Sequence, residues 1–107
     1  MLKLSKEVKN LMERELRQYK DNKRLLNRLK ADSTTPSRAI IICEDRMRYI
    51  ENVLKKLSPF EKQMFENIFY ENYDWNYCQI KYNVSKSTYY NIFNKCIILL
   101  AQEWGES

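Results

Sequence analysis

The stretch W-N-Y-C-Q-I-K-Y-N-V-S-K-S-T-Y-Y-N-I-F-N-K, Trp75 to Lys95, decides the fold. Asp74 stands just before it, where a short carboxylate can accept from the unpaired amide protons of a first helical turn. A short helix from Trp75 to about Tyr82 is expected, with Cys78 and Tyr82 at its inward positions. Asn83 tolerates the left-handed backbone that a tight turn between helices demands. Val84 then reads as a buried turn residue, and Ser85 as the cap of a last helix from Lys86 to about Glu103. Along that helix Tyr89, Ile92, Phe93, Cys96, Ile97 and Leu100 recur at steps that place them on one inward stripe. Two helices joined by so short a turn have the spacing of a helix-turn-helix.

Upstream, Ser58-Pro59-Phe60-Glu61 is the clearest local signal. Ser58 is an N-cap, Pro59 takes the first helical position where its missing N–H costs nothing, and Glu61 closes a capping box. Leu57 and Lys62 occupy the positions of a hydrophobic staple, for which Lys62 is a poor partner. The helix this starts, from Pro59 to about Glu71, should bury Met64, Phe65, Ile68 and Phe69 before Asn72-Tyr73-Asp74 interrupts it. Farther back, Val8, Leu11, Met12, Leu16, Tyr19, Leu26 and Leu29 mark an amphipathic helix from Leu4 to about Lys30, with Ser5 as its cap. The polar and Pro-containing stretch Asp32 to Ser37 reads as a turn or linker. Ser37 can cap a second helix carrying Ile40, Cys43, Met47, Ile50, Leu54 and Leu57. The expected fold is therefore all-α, an N-terminal hairpin of two helices followed by three closely joined ones. Residues 1–57 form the helical pair, suited to oligomerisation or to contact with a DNA backbone, and residues 58–107 the helix-turn-helix part.

Composition agrees with this. One Gly and two Pro in 107 residues leave too little turn chemistry for an all-β chain. The net charge of +5 favours a polyanionic partner, and residues 1–31 hold ten Lys/Arg against four Asp/Glu. Residues 58–75 are acidic instead, with Lys62 against Glu61, Glu66, Glu71 and Asp74. Cys43, Cys78 and Cys96 are odd in number and far apart, and no signal peptide precedes them, so reduced thiols and a cytoplasmic location are expected. No His and no C-x-x-C are present, so neither a metal site nor a cofactor is expected. The longest apolar run, Cys96 to Ala101, is too short to span a bilayer. No Gly-rich phosphate loop and no nucleophile beside a base support catalysis; the carboxylates suit capping and helix surface. The chain is read as a non-enzyme.

The Trp75–Lys95 segment resembles the helix-turn-helix of sigma-factor region 4, and Leu57 to Phe65 resembles that family's lead-in helix. Thr88 stands at the position where the family carries a Thr. Gln79 departs from the usual small Ala, and Asn83 from Gly. The wider layout, ending in L-L-A-Q-E-W-G-E, is similar to the RinA/ArpU/LtrC-type regulators of late genes in phages of Gram-positive bacteria. That resemblance implies an activator of packaging and lysis genes that binds upstream of their promoter in the host cell, at the nucleoid.

A helix in the major groove presents its outward N-terminal side chains to base edges. The candidate DNA-binding residues are Lys86, Ser87, Thr88, Tyr90, Asn91, Asn94 and Lys95. Asn91 and Asn94 can pair two-pronged with adenine, Lys86 suits guanine or phosphate, and Ser87 or Thr88 can hold a phosphate near the helix N-terminus. Of the eight tyrosines, Tyr89 and either Tyr77 or Tyr82 should fill the core, with Tyr90 outward and Tyr73 unassigned. The expected partners are double-stranded DNA, RNA polymerase and a second copy of the chain, with no membrane. A small terminase-type packaging subunit and a sigma-like module that binds polymerase or another regulator are the alternatives.

Overall fold

A computed structural model describes residues 4–32 and 37–105. Five α-helices account for most of them: α1 (Lys6–Ala31), α2 (Ser37–Lys55), α3 (Pro59–Phe65), α4 (Trp75–Tyr82) and α5 (Lys86–Glu103), with a π-helical turn (Glu66–Tyr70) continuing α3. The fold is all-α. The expected linker from Ser33 to Pro36, and the Ser37 side chain proposed as a cap, lie outside the described residues.

The helices start where capping chemistry places them. Ser5 Oγ accepts from the Val8 amide at 3.2 Å, Ser58 Oγ from Glu61, Asp74 Oδ1 from Tyr77 and Ser85 Oγ from Thr88. At α3 the box is reciprocal, since the Ser58 amide donates to Glu61 Oε1 at 2.9 Å. Each cap satisfies an amide that would otherwise lack a partner in the first turn.

One core serves all five helices. α1 packs on α2, α5 and the π turn, α2 and α3 also pack on α5, and α4 packs on α5. Met12 and Leu16 from α1, Val53 from α2, Met64 and Phe65 from α3, Ile68 and Phe69 from the π turn, Cys78 from α4 and Leu100 from α5 are fully buried in one cluster. Val53 was not in the expected stripe of α2, although it sits three residues past Ile50 on the same side. Glu15 is a second difference: it lies on the apolar face of α1, buried, with Arg46 Nη1 3.8 Å away. At the other end of the core Trp104 closes the seam between α2 and α5, edge-on to Tyr49 and beneath the Arg46 guanidinium.

The helix expected to run unbroken from Pro59 to Glu71 instead widens at Glu66. The Glu71 amide bonds five residues back, to Glu66 O, and the Tyr73 amide reaches Asn67 O at 2.9 Å. Ile68 O accepts a hydrogen bond from Arg17 Nη1 at 2.8 Å, across 51 positions of sequence. The same nitrogen donates to Asn72 Oδ1, Nε bonds Glu13, and the guanidinium lies over the Phe69 ring at 5.5 Å. Asn72 takes a left-handed conformation, φ 57°, which turns the chain towards α4. Arg17 thereby ties the long N-terminal helix to the segment that leads into α4.

Candidate nucleic-acid interface

α4 and α5 are set by a turn of three residues, Asn83 to Ser85. Asn83 is left-handed, at φ 55° and ψ 39°, and its amide donates to Gln79 O at 2.9 Å. An Asn costs little here because its short polar side chain tolerates this region. Val84 is buried and Cys78 packs from α4, so the angle between the helices is held by apolar contact. The Tyr89 hydroxyl donates to Tyr73 O at 2.9 Å, fastening α5 to the loop ahead of α4. Burial raises the Tyr89 hydroxyl pKa to about 12, so this donor keeps its proton at any physiological pH. Gln79 points to solvent and meets no crowding against α5.

Ser87, Tyr90, Asn91 and Asn94 are exposed together along the outer side of α5. Beneath them Tyr89, Ile92, Cys96 and Ile97 form a buried backing, which holds the outward row at a fixed orientation. Tyr90 is 45% exposed and rests edge-on against Tyr89 and Phe93, at 5.0 and 6.4 Å between ring centres. Asn91 and Asn94 have no side-chain hydrogen bond to another described residue, which leaves both amides free to present a donor and an acceptor.

The remaining candidates are placed differently. Thr88 is half-buried, and its hydroxyl accepts from Ser85 Oγ at 2.9 Å, so its first role is in the cap. The Lys86 ammonium lies 5.4 Å from the centre of the Trp75 ring. Lys95 reaches back to α3, bonding both Glu61 oxygens at 2.9 and 3.1 Å. Both cations of the row are thus engaged within the chain.

Glu61 serves two elements at once. The Ser58 amide, then Lys95, hold its carboxyl below the ordinary value of 4.5. A carboxylate with a lowered folded-state pKa adds stability that is complete above its ordinary pKa and is lost as pH falls through the folded value. Denaturant midpoints measured at neutral pH and at about pH 3 are expected to show a smaller acid loss for Glu61→Gln than for the parent. Equal losses in the two proteins would exclude this role.

Of the two tyrosines offered beside Tyr89 for the core, the structure places Tyr82 there and not Tyr77. Tyr89 is buried and Tyr82 half-buried, whereas Tyr77 is 40% exposed and belongs to the surface. Tyr77 stacks on Tyr73 with 4.0 Å between ring centres, and Lys81 lies within 5.8 Å of the rings of Tyr73, Tyr77 and Tyr82. The Tyr77 hydroxyl beside it holds the Lys81 amine above its ordinary range. Ile80, 85% exposed, extends this outer face of α4. The 73, 77, 81 spacing is visible in the sequence, which leaves Tyr73 unassigned and offers Tyr77 only as an alternative to Tyr82 for the core.

Cys78 and Cys96 are buried, and burial pushes the Cys96 thiol up to about 12. Among the described residues no three His, Cys, Asp or Glu side chains come together as a metal site, and no helix is long and apolar enough to cross a membrane. No family model, curated protein or solved structure matches the chain.

Proposed function

We propose that the chain is a sequence-specific regulator of transcription that binds double-stranded DNA, with α4 and α5 as a helix-turn-helix and α1 and α2 as an N-terminal helical hairpin. The observation that carries this reading is the row Ser87, Tyr90, Asn91 and Asn94, exposed on the first turns of a helix whose opposite side is buried and whose entry is capped. Such a row fits the major groove, where amide side chains discriminate base edges. In this reading Lys86 and Lys95 leave Trp75 and Glu61 to meet DNA, or act only as supports. The resemblance to regulators of phage late genes makes the expected action activation of packaging and lysis genes, by a homodimer working beside RNA polymerase in the host cytoplasm.

The decisive experiment is selection from random duplexes followed by titration of the selected site against scrambled duplex at matched salt. Specific sites in comparable complexes bind about a thousand-fold or more tighter than random DNA. Equal affinity for both would end the proposal. A ring-sized mass in solution would instead favour a packaging subunit.

A second reading has its own support. The engaged cations of α5 and the exposed Tyr77 and Ile80 on α4 suit a module that docks on protein. Retention of purified polymerase without retention of any duplex would favour it.

A further inference from the structure

On α5 the positive charge is thin: Lys95 is paired with Glu61, and Lys86, exposed, lies over the Trp75 ring. Two cations supply little of the attraction for a phosphate backbone that gives most sequence-independent affinity, so a second, more strongly cationic surface is called for. Fields of exposed charges fade over a screening length of about 8 Å at physiological salt, so that surface acts only where it comes close to phosphates of the bound duplex.

α1 has such a surface. Arg17, Lys20, Arg24 and Arg28 follow one another at steps of three, four and four, which places them on one side of a helix. Arg17 is fixed at the near end. Its guanidinium lies 5.5 Å from the centre of the Phe69 ring, Phe69 stacks on Phe93 at 5.3 Å, and Phe93 meets Tyr90 at 6.4 Å. α1 packs on α5, and these ring contacts join the Arg17 end of the stripe to the outer row of α5; from Arg17 to Arg28 the stripe extends about 16 Å, at the helical rise of about 1.5 Å per residue. Lys20, Arg24 and Arg28 are all exposed. Nearby carboxylates are few: Asp21 stands 4.0 Å from Arg24 with both side chains in solvent, and Glu66 and Glu71 line a groove shared with Lys20. Arg28 has no acidic partner within 4 Å among the described residues.

We infer that the Lys20–Arg24–Arg28 side of α1 is a second grip on the duplex, holding the phosphates that flank the segment met by α5. The inference rests on the DNA-binding reading and deepens it: α5 distinguishes sequence, and α1 supplies the salt-sensitive part of the affinity.

The test uses the full chain, the selected duplex and a scrambled duplex, with fluorescence anisotropy across about 50 to 200 mM salt. The variant Lys20→Gln/Arg24→Gln/Arg28→Gln removes the stripe. Arg38→Gln/Arg48→Gln/Lys55→Gln removes three exposed cations from α2 and so changes net charge equally. Circular dichroism melting confirms that both fold. Each phosphate contact contributes about 0.9 to the slope of log affinity against log salt. The α1 variant is expected to lose about one to three from that slope. It should weaken on both duplexes by the same factor, so that its preference for the selected site is retained, while the α2 variant keeps the parental slope. Equal slopes for parent and α1 variant, or equal losses in the two variants, overturn the inference while leaving site preference, and so the DNA-binding reading, intact. A parent that binds neither duplex overturns both.

Discussion

Phe69→Ala is expected to lower stability by about 3–5 kcal/mol, the cost of deleting an aromatic ring from a closed core. Phe69 is fully buried, and its ring meets Phe65 at 5.2 Å and Phe93 at 5.3 Å, with the Arg17 guanidinium on its other side. Its neighbours belong to α1, α3 and α5, so the cavity cannot close by the shift of one side chain. A small domain has only about 5–15 kcal/mol in total, and the variant should be partly unfolded on warming. Urea titration should show a lower midpoint with an unchanged slope, and Phe69→Leu should lose less. A change below about 1 kcal/mol for Phe69→Ala would mean that the ring is not the packing centre described above.

The second large effect is on recognition. Asn91→Ala and Asn94→Ala together are expected to cut the preference for the selected duplex by about a hundred-fold while leaving binding to scrambled duplex nearly unchanged. A two-pronged pairing between an amide side chain and adenine contributes about 1–3 kcal/mol of discrimination, which is roughly ten-fold in affinity for each residue. Both side chains are exposed and bond no other described side chain, so their removal leaves no buried partner unsatisfied among the described residues and stability should hold. Affinities for both duplexes and a melting curve check this. A fall of equal size on the two duplexes would assign these residues to backbone contact rather than base reading.

The places where α1, α3, α4 and α5 begin were legible in the sequence because capping is local. Ser5, Ser58, Asp74 and Ser85 each bond an amide three residues on, and Asn83 takes the left-handed turn that its chemistry allows. The outward row on α5 was legible for the same reason: once the helix start is known, its periodicity assigns the sides.

Interactions between distant segments were not legible in this way. The widening at Glu66 to Tyr70 has no marker in its own residues, and Arg17, which bonds the Ile68 carbonyl there, lies 51 positions earlier. Lys95 read as an outward cation, yet Glu61 on α3 takes its charge. Tyr77 and Tyr82 read alike as candidates for the core, and only the fold chose between them: Tyr82 packs against it, whereas Tyr77 is exposed beside the buried Cys78.

Asp74 to Lys95, taken by itself, determines two capped helix starts, the turn between them and the outward row Ser87, Tyr90, Asn91 and Asn94. Each follows from hydrogen bonds and periodicity within a few residues. Only the tertiary structure decided which charges are free on that surface. Lys86 lies over Trp75 and Lys95 pairs with Glu61, both still exposed, while Arg17 links α1 to Tyr90 through Phe69 and Phe93. The reason is physical: how available a long Lys or Arg side chain leaves its charge depends on its neighbours in space, and these can come from any part of the chain.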